Sequence, residues 1–228
     1  MGNNAENGMS SKLEKWGYET HRAIFDTGTI EHFRREADRV AQAAGSACVR
    51  HLRSRSEVFD ELALSGSFLR LLPPGVSPVR SILFDKTPAE NWPVPWHQDL
   101  TIAVVEERSV SGYGPWSFKD GSPHVQPPLS LLENMATIRL HLDETPAGNG
   151  ALRVSPGSHR RGKLPSDLLR ESFIEESQTC ECQAGDVLMM SPLIVHSSRR
   201  STAPNRRRVL HFEYARREDL DPELHWFE

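Results

Sequence analysis

From residue 79 onward, short apolar runs alternate with turn residues: "VRSILFD", "DLTIAVV", "MATIRLHLD", "ALRVSP", "SQTCECQ", "DVLMMSPLIVH" and "RRVLHFEYA". Several alternate with period two. In "TIRLHLD", Ile138, Leu140 and Leu142 face one way, and Thr137, Arg139, His141 and Asp143 the other. Only "LPSDLLRESF", 164–173, has helical spacing in this region. Many short strands with Gly, Pro and Asn turns predict a sandwich or a jelly-roll barrel. The long stretch 106–133 has little periodicity and predicts a lid or binding loop.

The first third has another period. In 29–52, Ile30, Phe33, Ala37, Val40, Ala41 and Ala44 recur at helical spacing, with Thr27 or Thr29 as cap and Gly45 as stop. A second helical patch covers 56–72 and is cut by Gly66, and "PPGVSP" closes the region. "WGYET" predicts a short strand. Residues 1–12 predict a disordered tail, and 13–228 one domain, with a helical part at 13–75 and a β core at 79–215.

Composition sets bounds on this picture. The chain has 228 residues, 37% hydrophobic and 25% charged, with net charge -4 at pH 7. That balance predicts a soluble globular protein and argues against a nucleic-acid binder. The longest apolar stretch, 187–195, is broken by Ser191 and Pro192 and is too short for a membrane span. With no apolar leader and only three cysteines (Cys48, Cys180 and Cys182), the sequence predicts reduced thiols and a cytoplasmic location. Cys180 and Cys182, two apart, read as small buried hydrophobes.

Candidate chemistry begins at "WHQD". His97 and Asp99, two apart on a strand, point to the same side. The pair alone could be a hydrogen bond. A third group changes its meaning: His196 ends the apolar run "MMSPLIVH" and needs a polar partner. Two imidazoles and one carboxylate form a facial triad suited to non-haem Fe(II), with coordination positions left open. Eleven residues on, Arg207 shares a strand face with Val209 and His211, and its planar fork suits a carboxylate. Arg199, Arg200, Arg206 and Arg208 read as solvated charge.

These pieces, with "ILFDKTP", "HLDETPAGNGALRVSPGSHR" and "AGDVLMMSPLIVHSS" in order, resemble the phytanoyl-CoA dioxygenase family of Fe(II)- and 2-oxoglutarate-dependent oxygenases. The resemblance runs through most of 80–215. It implies a mainly β fold, a double-stranded β-helix (jelly roll, cupin-like) with N-terminal helices packed on the outside. It implies metal ligation by His97, Asp99 and His196, and 2-oxoglutarate binding by Arg207 and Ser198. Gln98 matches the family's Gln between the ligands and Trp116 falls near an aromatic over the co-substrate, so the resemblance implies both as cofactor-binding residues.

The implied cofactors are Fe(II), 2-oxoglutarate and O2, and the implied reaction is hydroxylation or desaturation of a small molecule with release of succinate. The retained Asp99 argues against halogenation. Phe84, Lys86, Lys119, His124, Gln126 and Arg139 are the substrate candidates. His141, His159 and His211 read as hydrogen-bonded structural groups. A cupin-type enzyme without 2-oxoglutarate and a non-catalytic jelly-roll module stay open as alternatives.

Overall fold

Strand side chains alternate, so one sheet can serve two different interiors, and this chain's largest sheet does so. The computed structural model describes residues 10–169, 176–202 and 205–228. Its helices are α1 (Ser11–Trp16), α2 (Thr27–Ala44), α3 (Leu52–Arg55), α4 (Glu57–Ala63), α5 (Gly66–Leu69) and α6 (Leu129–Asn134). Its early strands are β1 (Tyr18–His21), β2 (Cys48–Arg50), β3 (Val76–Lys86), β4 (Val94–His97), β5 (Ile102–Ala103), β6 (Trp116–Lys119) and β7 (Ser122–Val125). The later ones are β8 (Ala136–His141), β9 (Leu152–Val154), β10 (Gln178–Cys180), β11 (Val187–Met190), β12 (His196–Ser198) and β13 (Arg207–Arg216).

Among the described residues the strands form three antiparallel sheets. The largest has the order β1-β11-β8-β13-β3-β2, the second β10-β9-β12-β4 and the smallest β5-β7-β6. On the large sheet, Leu83, Ile138, Leu140, Leu210, Phe212 and Tyr214 join Ile30, Phe33, Ala37 and Phe59 of the helical region in one apolar cluster. Tyr214 closes that contact by donating its hydroxyl to the Ala63 carbonyl at 2.8 Å. The alternate residues, Arg139 on β8, His211 and Glu213 on β13, and Ile82 and Phe84 on β3, line a cavity. This is why β8 is buried along its whole length. Further along, Leu188 and Met190 pack on Leu152, Val154, Cys180 and Cys182. Both cysteines are buried, and burial pushes their thiols up to about 12.

Local details depart from the sequence expectations where a nearby side chain wins. Asp26, rather than Thr27 or Thr29, caps α2 by accepting from the Thr29 amide at 2.8 Å. Gly45 ends that helix in the left-handed region, as expected. The segment 106–133 is not a plain loop: β6 and β7 form a hairpin in the small sheet, and α6 follows. Of the expected tail, residues 1–9 lie outside the described residues, while Ser11 and Lys12 open α1. "WGYET" splits between the end of α1 and β1. In 164–173, residues 166–169 form a 3-10 turn, and 170–173 lie outside the described residues. Arg206 is only partly solvated and Arg208 is buried. Arg206 pairs with Asp85 and Asp38, and buried Arg208 with Asp143 and Asp38. Arg199 and Arg200 are exposed, as expected. Among the described residues, no helix is long and apolar enough to cross a membrane.

Candidate metal and co-substrate site

His97 ends β4 and His196 begins β12, and the two are partners across the antiparallel pair. Their rings lie 4.1 Å apart. Asp99 follows β4, anchored by its amide to the Pro192 carbonyl at 2.9 Å. The Nε2 of His97 is 3.6 Å from one Asp99 carboxylate oxygen, and the Nε2 of His196 is 3.6 Å from the other. One donor atom from each of the three lies within 4.8 Å of the others.

The tautomers are set locally. His97 Nδ1 donates to the Pro95 carbonyl at 2.8 Å, and His196 Nδ1 to the Ile194 carbonyl at 2.9 Å. A carbonyl only accepts, so both rings carry their proton on Nδ1 and present the Nε2 lone pair inward. Such outer hydrogen bonds orient metal-ligating histidines. The donor chemistry therefore fits a divalent transition metal with open positions.

The electrostatics agree. Burial opposes charge on His196, the nearby His97 adds to this, and the imidazole falls to about 3. For His97 burial also opposes charge, but the neighbouring Asp99 carboxylate outweighs it and holds the group above its ordinary value. Burial works against ionised Asp99, yet the two imidazoles hold it well below the usual carboxylate range.

The triad opens on a cavity of about 440 Å³. At one end, Arg207 is the cross-strand partner of Lys86. Arg207 donates through Nη1 to the Gly150 carbonyl, while its buried Nε has no partner among the described residues. Ser198 donates to the same carbonyl at 3.1 Å and accepts from Lys86 Nζ at 3.2 Å. Lys86 also donates to the Trp92 carbonyl at 2.6 Å and lies over that indole ring. Gly150 adopts φ +66°, and a Cβ there would meet the Arg199 carbonyl at 2.7 Å. Burial, with the charges of Arg207, Arg139 and Arg200, lowers the Lys86 amine to about 7.

Of the other sequence candidates, Phe84, Lys119, Gln126 and Arg139 line the cavity. Three do not behave as expected. Gln98 reaches the cavity wall, but its amide is used up on backbone: it donates to Leu193 and Gly162 and accepts from the Leu164 amide. Trp116 packs against the cluster of Ile102, Val104 and Val125 and is absent from the cavity wall. His124 is fully buried, donates to the Ser122 carbonyl at 3.1 Å, and is also absent from that wall. His141, His159 and His211 are hydrogen-bonded as expected, to Thr145, to the Glu14 carbonyl and to Glu213.

The sequence reading missed Arg50, Arg80, Trp92 and Glu213 on the cavity wall. Period two was the available signal. It carries Phe84 and Lys86 back to Arg80, and Arg207 forward to Glu213.

Two imidazoles and a carboxylate on and just past two adjacent antiparallel strands, in one cavity with a buried guanidinium, fit a metalloenzyme site. A narrower assignment follows from comparison with known proteins. The chain belongs to the phytanoyl-CoA dioxygenase (PhyH) family, whose model matches residues 13–209. Against the curated proteins, sequence comparison finds no match.

Similar solved structures include HygX from Streptomyces hygroscopicus with nickel and 2-oxoglutarate bound. It is 18% identical over 89% of this chain and 83% of its own, with TM-score 0.64. The epimerase SnoN, in complex with Fe3+, alpha ketoglutarate and nogalamycin RO, is 17% identical over 92% and 82%, with TM-score 0.68. AviO1 from Streptomyces viridochromogenes Tue57 is 20% identical over 92% of both chains, with TM-score 0.60.

Proposed function

We propose that this chain is a non-haem Fe(II)- and 2-oxoglutarate-dependent dioxygenase. It hydroxylates or desaturates a small organic substrate and converts 2-oxoglutarate to succinate. The observation that carries this reading is the convergence of His97, Asp99 and His196 in the cavity that also holds Arg207. Family membership and the metal and 2-oxoglutarate named for HygX support it.

In this reading His97, Asp99 and His196 hold the iron. When bound, iron and 2-oxoglutarate together supply oxygen activation and the oxidising power. The chain supplies the rest. The Pro95 and Ile194 carbonyls fix both imidazoles in the ligating tautomer. Arg207, Ser198 and Lys86 orient the distal carboxylate of the co-substrate, and Phe84 and Trp92 keep that end dry. Gln98 positions the ligand strand through its three backbone bonds. The Asp99 carboxylate fills the position that a halide would need, which favours hydroxylation or desaturation.

The finer expectations belong to the same proposal. The helices cover the outside of the jelly roll, 13–228 acts as one unit, and the protein works in the cytoplasm on a small molecule, not on nucleic acid or membrane. A cupin enzyme without 2-oxoglutarate would have no use for the Arg207–Ser198–Lys86 group.

Anaerobic titration with Fe(II) and then 2-oxoglutarate tests the assignment. A weak visible charge-transfer band that is absent in His97→Ala supports it. Metal binding with no band in the wild type would leave the cupin reading.

A further inference from the structure

The cavity has a second cationic pole. Six basic residues line it against two acidic ones, Asp99 and Glu213. Lys86, Arg207 and the co-substrate chemistry account for one end. Along β3, Lys86 and Arg80 lie six residues apart, about 20 Å of extended strand. They share a face, with Ile82 and Phe84 between them.

At the far end, Arg80 is the cross-strand partner of Glu213 and donates to it at 3.0 Å. Glu213 in turn lies beside His211 and within 4.8 Å of Asp99. The Arg80 guanidinium is therefore one carboxylate away from the metal triad. Arg80 is only 9% exposed, and its Nε is buried without a partner among the described residues. Arg50, next to Ile82 across β2 and β3, and Lys119, from the β6–β7 hairpin, reach the same cavity.

Arg50 is paired with Asp120 at the surface. The Lys119 ammonium has no hydrogen bond or ion pair among the described residues. Burial, Arg80 and Arg50 all disfavour its charge. Buried positive charge of this density is costly unless an anion joins it. Glu213 offsets Arg80 and Asp120 offsets Arg50, which leaves the Lys119 ammonium without a counter-charge among the described residues.

We propose that Arg80, Lys119 and Arg50 form the subsite for an oxyanion, a carboxylate or phosphate, on a small substrate whose apolar body lies along Ile82 and Phe84. The inference rests on reading the Arg207 end as the co-substrate site. The cavity must hold metal and co-substrate as well, so about 440 Å³ leaves room only for a small molecule. An anion held by Arg80 presents its neighbouring carbons toward the triad, which gives regiochemistry by position.

The test uses Ni(II)-loaded protein saturated with 2-oxoglutarate, which reports binding without turnover. Phenylacetate, phenyl phosphate and neutral phenylacetamide are the probes, followed by calorimetry or ligand-observed NMR. Binding of either acid at least tenfold tighter than the amide is expected, and the tighter of the two identifies carboxylate or phosphate as the preferred group. Lys119→Gln should weaken that acid about threefold to tenfold and leave 2-oxoglutarate affinity unchanged. Arg50→Gln should act in the same direction. Arg80 is not the residue to truncate, because buried Glu213 would lose its guanidinium partner.

Equal binding of amide and acid, no binding of either acid, or an unchanged affinity in Lys119→Gln would overturn the proposal. If the protein takes up neither Ni(II) nor 2-oxoglutarate, the co-substrate reading fails separately. Phenylacetate binding to the metal-free protein then decides the second pole: loss in Lys119→Gln supports it, and persistence overturns it.

Discussion

Lys86 and Arg207 face each other across β3 and β13, two buried cations whose charges oppose one another. With Arg139 and Arg200 adding to burial, the Lys86 amine drops from its ordinary 10.5 to about 7. A dianion between Arg207 and Lys86 is bound more tightly when the lysine is protonated, that is, below about pH 7. We expect 2-oxoglutarate affinity to fall several-fold from pH 6 to pH 8, with proton uptake on binding at the upper end. The same measurement on Lys86→Met should lose the proton uptake and flatten the dependence. A wild-type profile matching that of Lys86→Met would remove Lys86 from the site. Linkage gives a second sign: the folded protein binds fewer protons than the unfolded chain between pH 7 and 10.5, so this group adds stability as pH rises through that window.

Arg207 offers a planar fork with an unpartnered Nε, and Ser198 offers a single hydroxyl. A charge-assisted hydrogen bond contributes roughly 1.5–3 kcal/mol and a neutral one about 1. Arg207→Met should therefore weaken 2-oxoglutarate by on the order of 100-fold, and Ser198→Ala by about fivefold. Arg207→Lys should recover little, because a point charge cannot reproduce the fork. Calorimetry at fixed metal concentration measures all three.

In the proposed reading, ligation by His97, Asp99 and His196 would make metal a stabiliser of the native state. At a metal concentration 100 times its dissociation constant the gain is about 2.7 kcal/mol. For a domain of this size, that is roughly 5–10 °C in melting temperature. Chelation should lower the wild-type melting temperature by that amount, whereas His97→Ala and Asp99→Ala should melt at the same temperature with and without metal. A metal response that survives in both variants would place the ion elsewhere.

The convergence of the triad and Arg207 was legible because each lies in a short run where spacing suggests direction: His97 and Asp99 two apart, His196 closing an apolar run. The helix α2 and the long strand β13 were legible from periodicity for the same reason. What escaped was pairing across the fold. Arg206 and Arg208 read as solvated because Asp38, Asp85 and Asp143 come from distant segments. Trp116 and His124 lay in a segment without periodicity, and nothing local says that the β6–β7 hairpin turns Trp116 into its own apolar cluster while Lys119 reaches the cavity. Gln98 carried the right position in the motif, but its partners, the backbone of Gly162, Leu164 and Leu193, are visible only once the chain is folded.

Gly150 connects backbone geometry to the Arg207 end of the cavity. Its φ of +66° is strained for any L side chain, and an added Cβ would also meet the Arg199 carbonyl. Its own carbonyl is the acceptor shared by Arg207 and Ser198. Gly150→Ala should destabilise by about 1–3 kcal/mol and lower 2-oxoglutarate affinity as that carbonyl shifts. Gly75 is the control: φ is +79° and nothing lies near its missing Cβ. Gly75→Ala should cost stability through strain alone, about 1 kcal/mol, and leave the affinity at the wild-type value. Denaturant unfolding together with 2-oxoglutarate titration separates the two effects. Equal affinity in both variants would show that the Gly150 carbonyl does not hold Arg207 in the binding geometry.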